Sequence, residues 1–229
     1  MSIKYLILTG LLVSHYAYHM TNITDRFQDF LDLVRSHVYS EPSTDLHVAV
    51  MDSVIPKMHS EHGVTGPLLD VGCGDGYAMD KLKDLGVSDI IGLTLSADDA
   101  GAARSRGFTV VEQDMSFTDF PDASFRWLWV RHALEHSPFP LLTLLEFHRI
   151  MEPGGHAYIE MPSPKCTRLL EDYDNHYSIM GPRQWTCLMR RAGFDIKDHG
   201  EIKLDITSKE DPDYQGTEVY EWYVLIKRH

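Results

Sequence analysis

Three glycines at alternate positions, Gly72, Gly74 and Gly76, separate the apolar run Leu68-Leu69-Asp70-Val71 from a helix-forming segment that begins at Tyr77. Glycine lets the backbone turn sharply out of a strand and lets a ligand approach the main chain where a side chain would block it. Isolated glycine pairs mark many surface turns. One that closes a buried strand and opens a helix has the context of a ligand-binding βα turn. Such a unit needs parallel neighbours, and the sequence downstream supplies them. Short β-rich runs at 68–71, 90–93, 109–111, 127–130 and 157–161 alternate with helical patterns at 77–85, 97–105 and 141–151, the last closed by Glu152-Pro153-Gly154-Gly155. That alternation predicts βαβ units and a parallel sheet covered on both faces. A further helix at 182–192, ended by Gly193, precedes two long strand-like runs at 196–206 and 218–227. The polar turn at 208–213 between them predicts an antiparallel hairpin. The expected fold is α/β: a doubly wound, seven-stranded, mostly parallel sheet with an antiparallel edge hairpin.

Upstream of the sheet the pattern is helical from Thr24 to about His59. Phe27, Phe30, Leu31 and Val34 share one face, and Leu46, Val50, Val54 and Ile55 form a second stripe after the break at Glu41-Pro42-Ser43. The expected division is an extension at 1–20, a helical cap at 21–66 and the sheet domain at 67–229. In the extension, Lys4 precedes the apolar run 5–13, which is too short to span a bilayer as a helix. Ser14-His15-Tyr16-Ala17 is a poor leader-cleavage site, and Met20 is an alternative start. No membrane span is expected.

Composition narrows the function. With 229 residues, 43% hydrophobic and 24% charged, the chain has the content of one large globular domain. Its 21 Lys+Arg against 34 Asp+Glu leave a net charge of -13, which disfavours general nucleic-acid binding. The densest basic group is only Arg183, Arg190 and Arg191. Cys73, Cys166 and Cys187 are too few and too scattered for a disulfide framework or a cysteine zinc site, and they fit a reducing, cytoplasmic setting.

The glycine turn is not the dinucleotide fingerprint, because Tyr77 stands where Gly-x-Gly-x-x-Gly needs its third glycine. It reads instead as Asp-x-Gly-x-Gly-x-Gly. Together with Gly92-Leu93-Thr94-Leu95-Ser96, Gln113-Asp114-Met115, Ser124-Phe125-Arg126, Leu134-Glu135-His136 and Glu152-Pro153-Gly154-Gly155 in that order, it resembles the class I S-adenosylmethionine-dependent methyltransferases. The resemblance runs from about Leu68 to the C-terminus and implies a Rossmann-like fold with S-adenosylmethionine as cofactor. It also implies that Asp70 and the main chain of Gly72, Gly74 and Gly76 hold the methionine part. Asp114 would accept the adenine amine, with Met115 beside the ring. A cofactor carrying a sulfonium and an ammonium but no phosphate suits carboxylates better than Lys or Arg. One departure is Thr94, where the family usually has an acid for the ribose diol. The Gly-Leu-Thr-Leu-Ser form is similar to that of cyclopropane fatty acid synthases, which implies that Thr94 and Asp99 share this work. The competing reading of Asp98 and Asp99 is a favourable charge at a helix N-terminus.

Chemistry in open α/β sheets sits beyond the carboxyl ends of the strands. After the fourth strand comes Arg131-His132-Ala133-Leu134-Glu135-His136-Ser137-Pro138. On a helical turn His132, Glu135 and His136 would share one face. Pro138 cuts that turn too short for a metallopeptidase helix. The segment is similar to the Glu-x-x-Glu-His of ubiquinone-pathway O-methyltransferases and of small-RNA terminal 2'-O-methyltransferases, with His132 in place of the first Glu. The similarity implies a divalent metal on His132, Glu135 and His136, with His176 as a further ligand, and imidazoles favour a transition ion. Without metal, His132, His136 or His176 would be the general base, and Glu160 a base or substrate anchor. The stretch 163–180 would form the substrate wall. The expected activity is methyl transfer to a small-molecule acceptor, on oxygen. The rivals are a non-catalytic cofactor-binding scaffold, an RNA-terminal methyltransferase, and carbon transfer to a lipid.

Overall fold

A computed structural model of the chain describes residues 23–38, 40, 43–166, 175–207 and 215–228. The extension at 1–20 and the hairpin turn at 208–213 lie outside the described residues. Two compact units divide at Val38/Tyr39. The first contributes α1 (Ile23–Ser36), an amphipathic helix in which Phe27 and Phe30 stack at 6.3 Å and no residue is buried. The second contains α2 (Asp45–His62) together with the whole sheet. The helical segment expected as one cap from 21 to 66 is thus split between the units, because the second stripe, Val50, Val54 and Ile55, is core. Thr44 caps the first turn of α2 by accepting from the His47 N–H (3.3 Å), and Gly63 ends it in the left-handed region at φ +68°.

The sheet has seven strands in the order β3-β2-β1-β4-β5-β7-β6. These are β1 (Leu68–Val71), β2 (Ile90–Thr94), β3 (Thr109–Glu112), β4 (Phe125–Arg131), β5 (Met151–Pro162), β6 (Phe194–Thr207) and β7 (Gln215–Lys227). The first five are parallel, and β7 runs antiparallel to both β5 and β6. The connections are α3 (Tyr77–Asp84), α4 (Ala97–Ser105), α5 (Pro140–Ile150) and α6 (Pro182–Arg191). β5 begins six residues before the expected 157, since Met151 already pairs with Phe125 and the Pro-Gly-Gly segment is carried as an irregularity inside the strand.

Alternate residues of β4 explain the two layers. Trp127 and Trp129 point to the face covered by α2 and α3, with Ile55, Met58 and Tyr158. Leu128 and Val130 point to the other face, with Leu144, Phe147, Trp185 and Met189 of α5 and α6. The sequence leaves β1 toward β2 and β3 on one side, then returns to β4 and β5 on the other. The strand order therefore reverses between β1 and β4, and the crevice at their carboxyl ends is where such sheets bind ligands.

Candidate active site

At the end of β1 the glycine turn is tied to β2. The N–H groups of Gly72 and Cys73 both donate to the Leu93 carbonyl, at 2.8 and 3.1 Å. Gly72 sits at φ +72°, and a Cβ there would lie 2.8 Å from the Ala133 Cβ, so this glycine lets the turn abut the segment after β4. Gly74, at φ +50°, would point a Cβ into open space. Asp70 is buried and its Oδ2 has no hydrogen-bond partner. Burial pushes its carboxyl up to about 7, against the opposing pull of Arg131. A buried, unsatisfied carboxylate beside an open glycine cradle fits a ligand that brings positive charge and no phosphate.

The other expected cofactor residues lie at or after the ends of β2 and β3. Thr94 is buried and its Oγ1 accepts from the Ser96 N–H at 3.1 Å. Ser96 caps α4 through the Asp99 N–H (3.2 Å), and Asp99, also buried, accepts from Ser40 Oγ at 2.5 Å. Ser43 Oγ donates to Asp75 Oδ1 (3.1 Å), and the other Asp75 oxygen pairs with Arg106 at 2.7 Å. The segment before α2 thus reaches across to both the second strand's end and the glycine turn. Asp114 Oδ1 closes its own turn by accepting from the Ser116 N–H (2.8 Å), while Met115 packs against the core.

After β4 the chain does not form the expected single helical turn. His132 lies at φ +49°, its N–H donating to the Glu160 carbonyl (2.8 Å), and only Leu134–His136 is helical, as one 3-10 turn. A non-glycine residue in the left-handed region carries strain that is typical of functional sites. His132 consequently does not share a face with Glu135 and His136. Its Nδ1 lies 3.4 Å from Glu135 Oε1 and its Nε2 3.2 Å from Glu160 Oε1. Burial and the Arg131 charge both disfavour the imidazolium, yet the two carboxylates outweigh them and raise the His132 pKa. With each ring nitrogen facing a carboxylate, His132 is placed as an ion-pair partner rather than as a free base or a metal ligand.

Glu160 is similarly occupied. It is fully buried between Arg131 Nε (2.7 Å), His132 and the Tyr158 hydroxyl, which donates at 2.5 Å. Burial opposes its ionisation, but Arg131, His132 and Tyr158 hold it at about 2. That environment suits an anchor and not a proton acceptor. Glu135 is fully buried as well, with neither oxygen in a hydrogen bond. Burial pushes its pKa up, and the neighbouring His132 and His136 overcome this to lower it. Glu135, His136 and His176 bring one donor atom each within 4.8 Å of one another. His136 Nδ1 lies 3.1 Å from the Asn175 carbonyl, so that nitrogen is the donor and Nε2 is left as the acceptor. The His136 and His176 rings meet edge-on at 4.9 Å.

Sequence reasoning missed Arg131, whose guanidinium is buried with Nη2 unpartnered and whose charge reaches Asp70. The signal was present: Arg131 ends β4 in register with Glu160. It also missed His47, from the first turn of α2, which lies 5.4 Å from the His132 ring opposite Tyr220 at 4.5 Å. Of the expected substrate wall at 163–180, residues 167–174 lie outside the described residues.

A glycine turn at the switch point of a doubly wound sheet, flanked by a buried acid, defines the class as a Rossmann-like α/β protein. A methyltransferase-domain family model matches residues 44–199, and the chain belongs to that family, the class I S-adenosylmethionine-dependent methyltransferases. It is 27% identical over 145 residues to the 27-O-demethylrifamycin SV methyltransferase of Amycolatopsis mediterranei (strain S699), covering 56% of this chain and 53% of that protein. It is 26% identical over 155 residues to the O-methyltransferase cnsE of Penicillium expansum, covering 61% and 55%. The chain spans about half the length of the curated relatives it matches. Among solved structures, a candidate methyltransferase from Bacillus halodurans C-125 superposes with a TM-score of 0.65 over 77% of this chain and 100% of its own, at 17% identity, a likeness of fold alone. No helix among the described residues is long and apolar enough to cross a membrane.

Proposed function

We propose that the chain transfers a methyl group from S-adenosylmethionine to a hydroxyl of a small molecule. Bound in the cleft, the cofactor supplies an electrophilic methyl group on a sulfonium centre. Asp70 and the backbone at Gly72, Gly74 and Gly76 would hold its amino-acid end, Thr94 and Asp99 the ribose, and Asp114 with Met115 the adenine. The observation that carries the reading is the buried Glu135 carboxylate beside His136 and His176, in the segment that the Gly72 turn abuts. An acceptor hydroxyl entering there meets a polar group able to take its proton, and holding oxygen and methyl in line supplies most of the acceleration.

Two versions of that step fit the same residues. His136 Nε2 accepts the proton directly, its tautomer fixed by the Asn175 carbonyl and its charge balanced by Glu135. In the other version, Glu135, His136 and His176 would hold a divalent transition ion, which would supply Lewis-acid activation of the hydroxyl. One carboxylate and two imidazoles suit such an ion, and a ligating histidine usually donates its other nitrogen to a carbonyl, as His136 does. The names of the two curated relatives favour oxygen as the acceptor atom. The net charge of -13 weighs against an RNA acceptor.

The test is turnover of S-adenosylmethionine on a panel of phenols and aliphatic alcohols, with and without chelator, for the full chain and for Glu135→Gln, His136→Ala and His176→Ala. Product with an O-methyl group, lost in His136→Ala, supports the reading, and sensitivity to chelator decides between ion and base. Cofactor binding by calorimetry with no turnover on any acceptor would favour the scaffold role. No heat with the cofactor at all would remove the assignment.

A further inference from the structure

A second cluster of ligand-type side chains lies at the other end of the sheet. Glu61 and His62 close the last turn of α2, and Asp198 stands near the start of β6; one donor atom from each falls within 4.8 Å of the others. Gly63 and the short link to β1 follow His62 directly, which places the cluster at the amino ends of the parallel strands, away from the glycine turn. Three features distinguish it from an ordinary acidic surface. The His62 side chain is only 7% exposed, yet neither ring nitrogen has a hydrogen-bond partner. Its Nε2 is aimed at Asp198 Oδ2, at 3.3 Å. Asp198 follows an irregularity in the β6–β7 register between Ile196 and Asp198, and its Oδ1 accepts from the His199 N–H at 2.8 Å, which fixes the carboxylate with Oδ2 toward His62. Bulges of this kind re-aim side chains, and a buried imidazole without partners calls for a reason.

We propose that Glu61, His62 and Asp198 form a divalent transition-metal site, with zinc as the natural probe, that clamps the end of α2 to β6. Two carboxylates and one imidazole are a ligand set zinc accepts, with water completing a tetrahedron. The cluster is partly open: Asp198 is 43% exposed, and Glu61 is on the surface. The adjacent Lys197 extends away to His156 Nε2, at 3.4 Å. The consequence reaches the candidate active site. α2 has 18 residues, a rod of about 27 Å, and its opposite end carries His47 against His132. Fixing one end of α2 at the clamp fixes the angle at which the other end lines the acceptor cleft.

The test uses the full chain stripped with chelator, equilibrated with zinc, and assayed for retained metal and for its shift in thermal midpoint. Glu135→Gln/His176→Ala removes the ligand cluster at the other end, so that any metal held there is counted separately. The expected result is one zinc per chain that survives in Glu135→Gln/His176→Ala and is bound at least tenfold more weakly by His62→Ala and Asp198→Asn. Cobalt in place of zinc gives a visible absorption band that disappears in His62→Ala. Should the buried His62→Ala fail to fold, Asp198→Asn, at a half-exposed carboxylate, gives the decision. Equal zinc retention and equal thermal shift in wild type and Asp198→Asn would overturn the proposal.

Discussion

Two buried carboxylates on the strands that flank β4 behave in opposite ways. Asp70, on β1, has an oxygen without a partner, and burial carries its carboxyl up to about 7. Glu160, on β5, is buried as deeply, but Arg131, His132 and Tyr158 surround it and hold it at about 2. The protein compensates one charge itself and leaves the other without a hydrogen-bond partner on Oδ2. Glu135 stands between these extremes, flanked by histidines yet without a hydrogen bond. The contrast separates carboxylates matched within the fold from carboxylates that are not.

Breaking the compensated side should have the largest effect. Glu160→Gln leaves Arg131 buried without its counter-charge and should lower stability by about 3–5 kcal/mol in urea titrations. A loss below about 1 kcal/mol would mean that water reaches Arg131. The next effect is catalytic: His136→Ala should cost about 100-fold in kcat with unchanged cofactor affinity, within the range of general-base removal. A matching loss in cofactor binding would assign His136 to the fold of the turn instead.

On the uncompensated side, Asp70→Asn should weaken S-adenosylmethionine by about 10-fold or more, as expected for losing a charge-assisted contact. The same change should stabilise the ligand-free protein at pH 8, and that sign is the informative part. Because the folded pKa of Asp70 is raised, its contribution favours the fold below pH 3.8 and is lost as pH rises through about 7. Glu160 works in the reverse direction: its contribution is complete above pH 4.5 and is lost as pH falls through about 2. His132, whose pKa is also raised, adds stability in the same direction as pH falls. Stability measured from pH 8 downward should therefore rise toward pH 4.5 before it falls, and Asp70→Asn should reduce the rise. The smallest effect is expected from Ser40→Ala, which removes the hydrogen bond to Asp99 and should weaken the cofactor by about fivefold. No change in calorimetric affinity would leave that contact outside cofactor binding.

Much of the architecture was legible from pattern alone. Leu68–Val71 and Ala97–Ser105 match the sequence expectation in both limits. The alternation of runs identified the other strands, because a parallel sheet must bury both faces and needs a helix for each return. The ends of β5 were not legible, since Pro153, Gly154 and Gly155 read as a terminator and only pairing with Phe125 carries the strand through them. The glycine turn was legible because its three positive-φ positions are local properties of the chain. The histidines were only half legible. His136 and His176 meet as expected, but His132 departs because its backbone turns left-handed at the end of β4, which spacing along a helix does not anticipate.

The sequence by itself determined the sheet, its glycine turn and the family, since periodicity and turn residues act over a few positions and survive without knowledge of their neighbours. Tertiary structure alone decided which charges are matched. Arg131 meets Glu160 on the adjacent strand, Ser40 meets Asp99 from 59 residues away, and Asp70 Oδ2 has no hydrogen-bond partner. Ionisation in a low-dielectric interior depends on what lies within a few ångströms in space, and no distance along the chain encodes that.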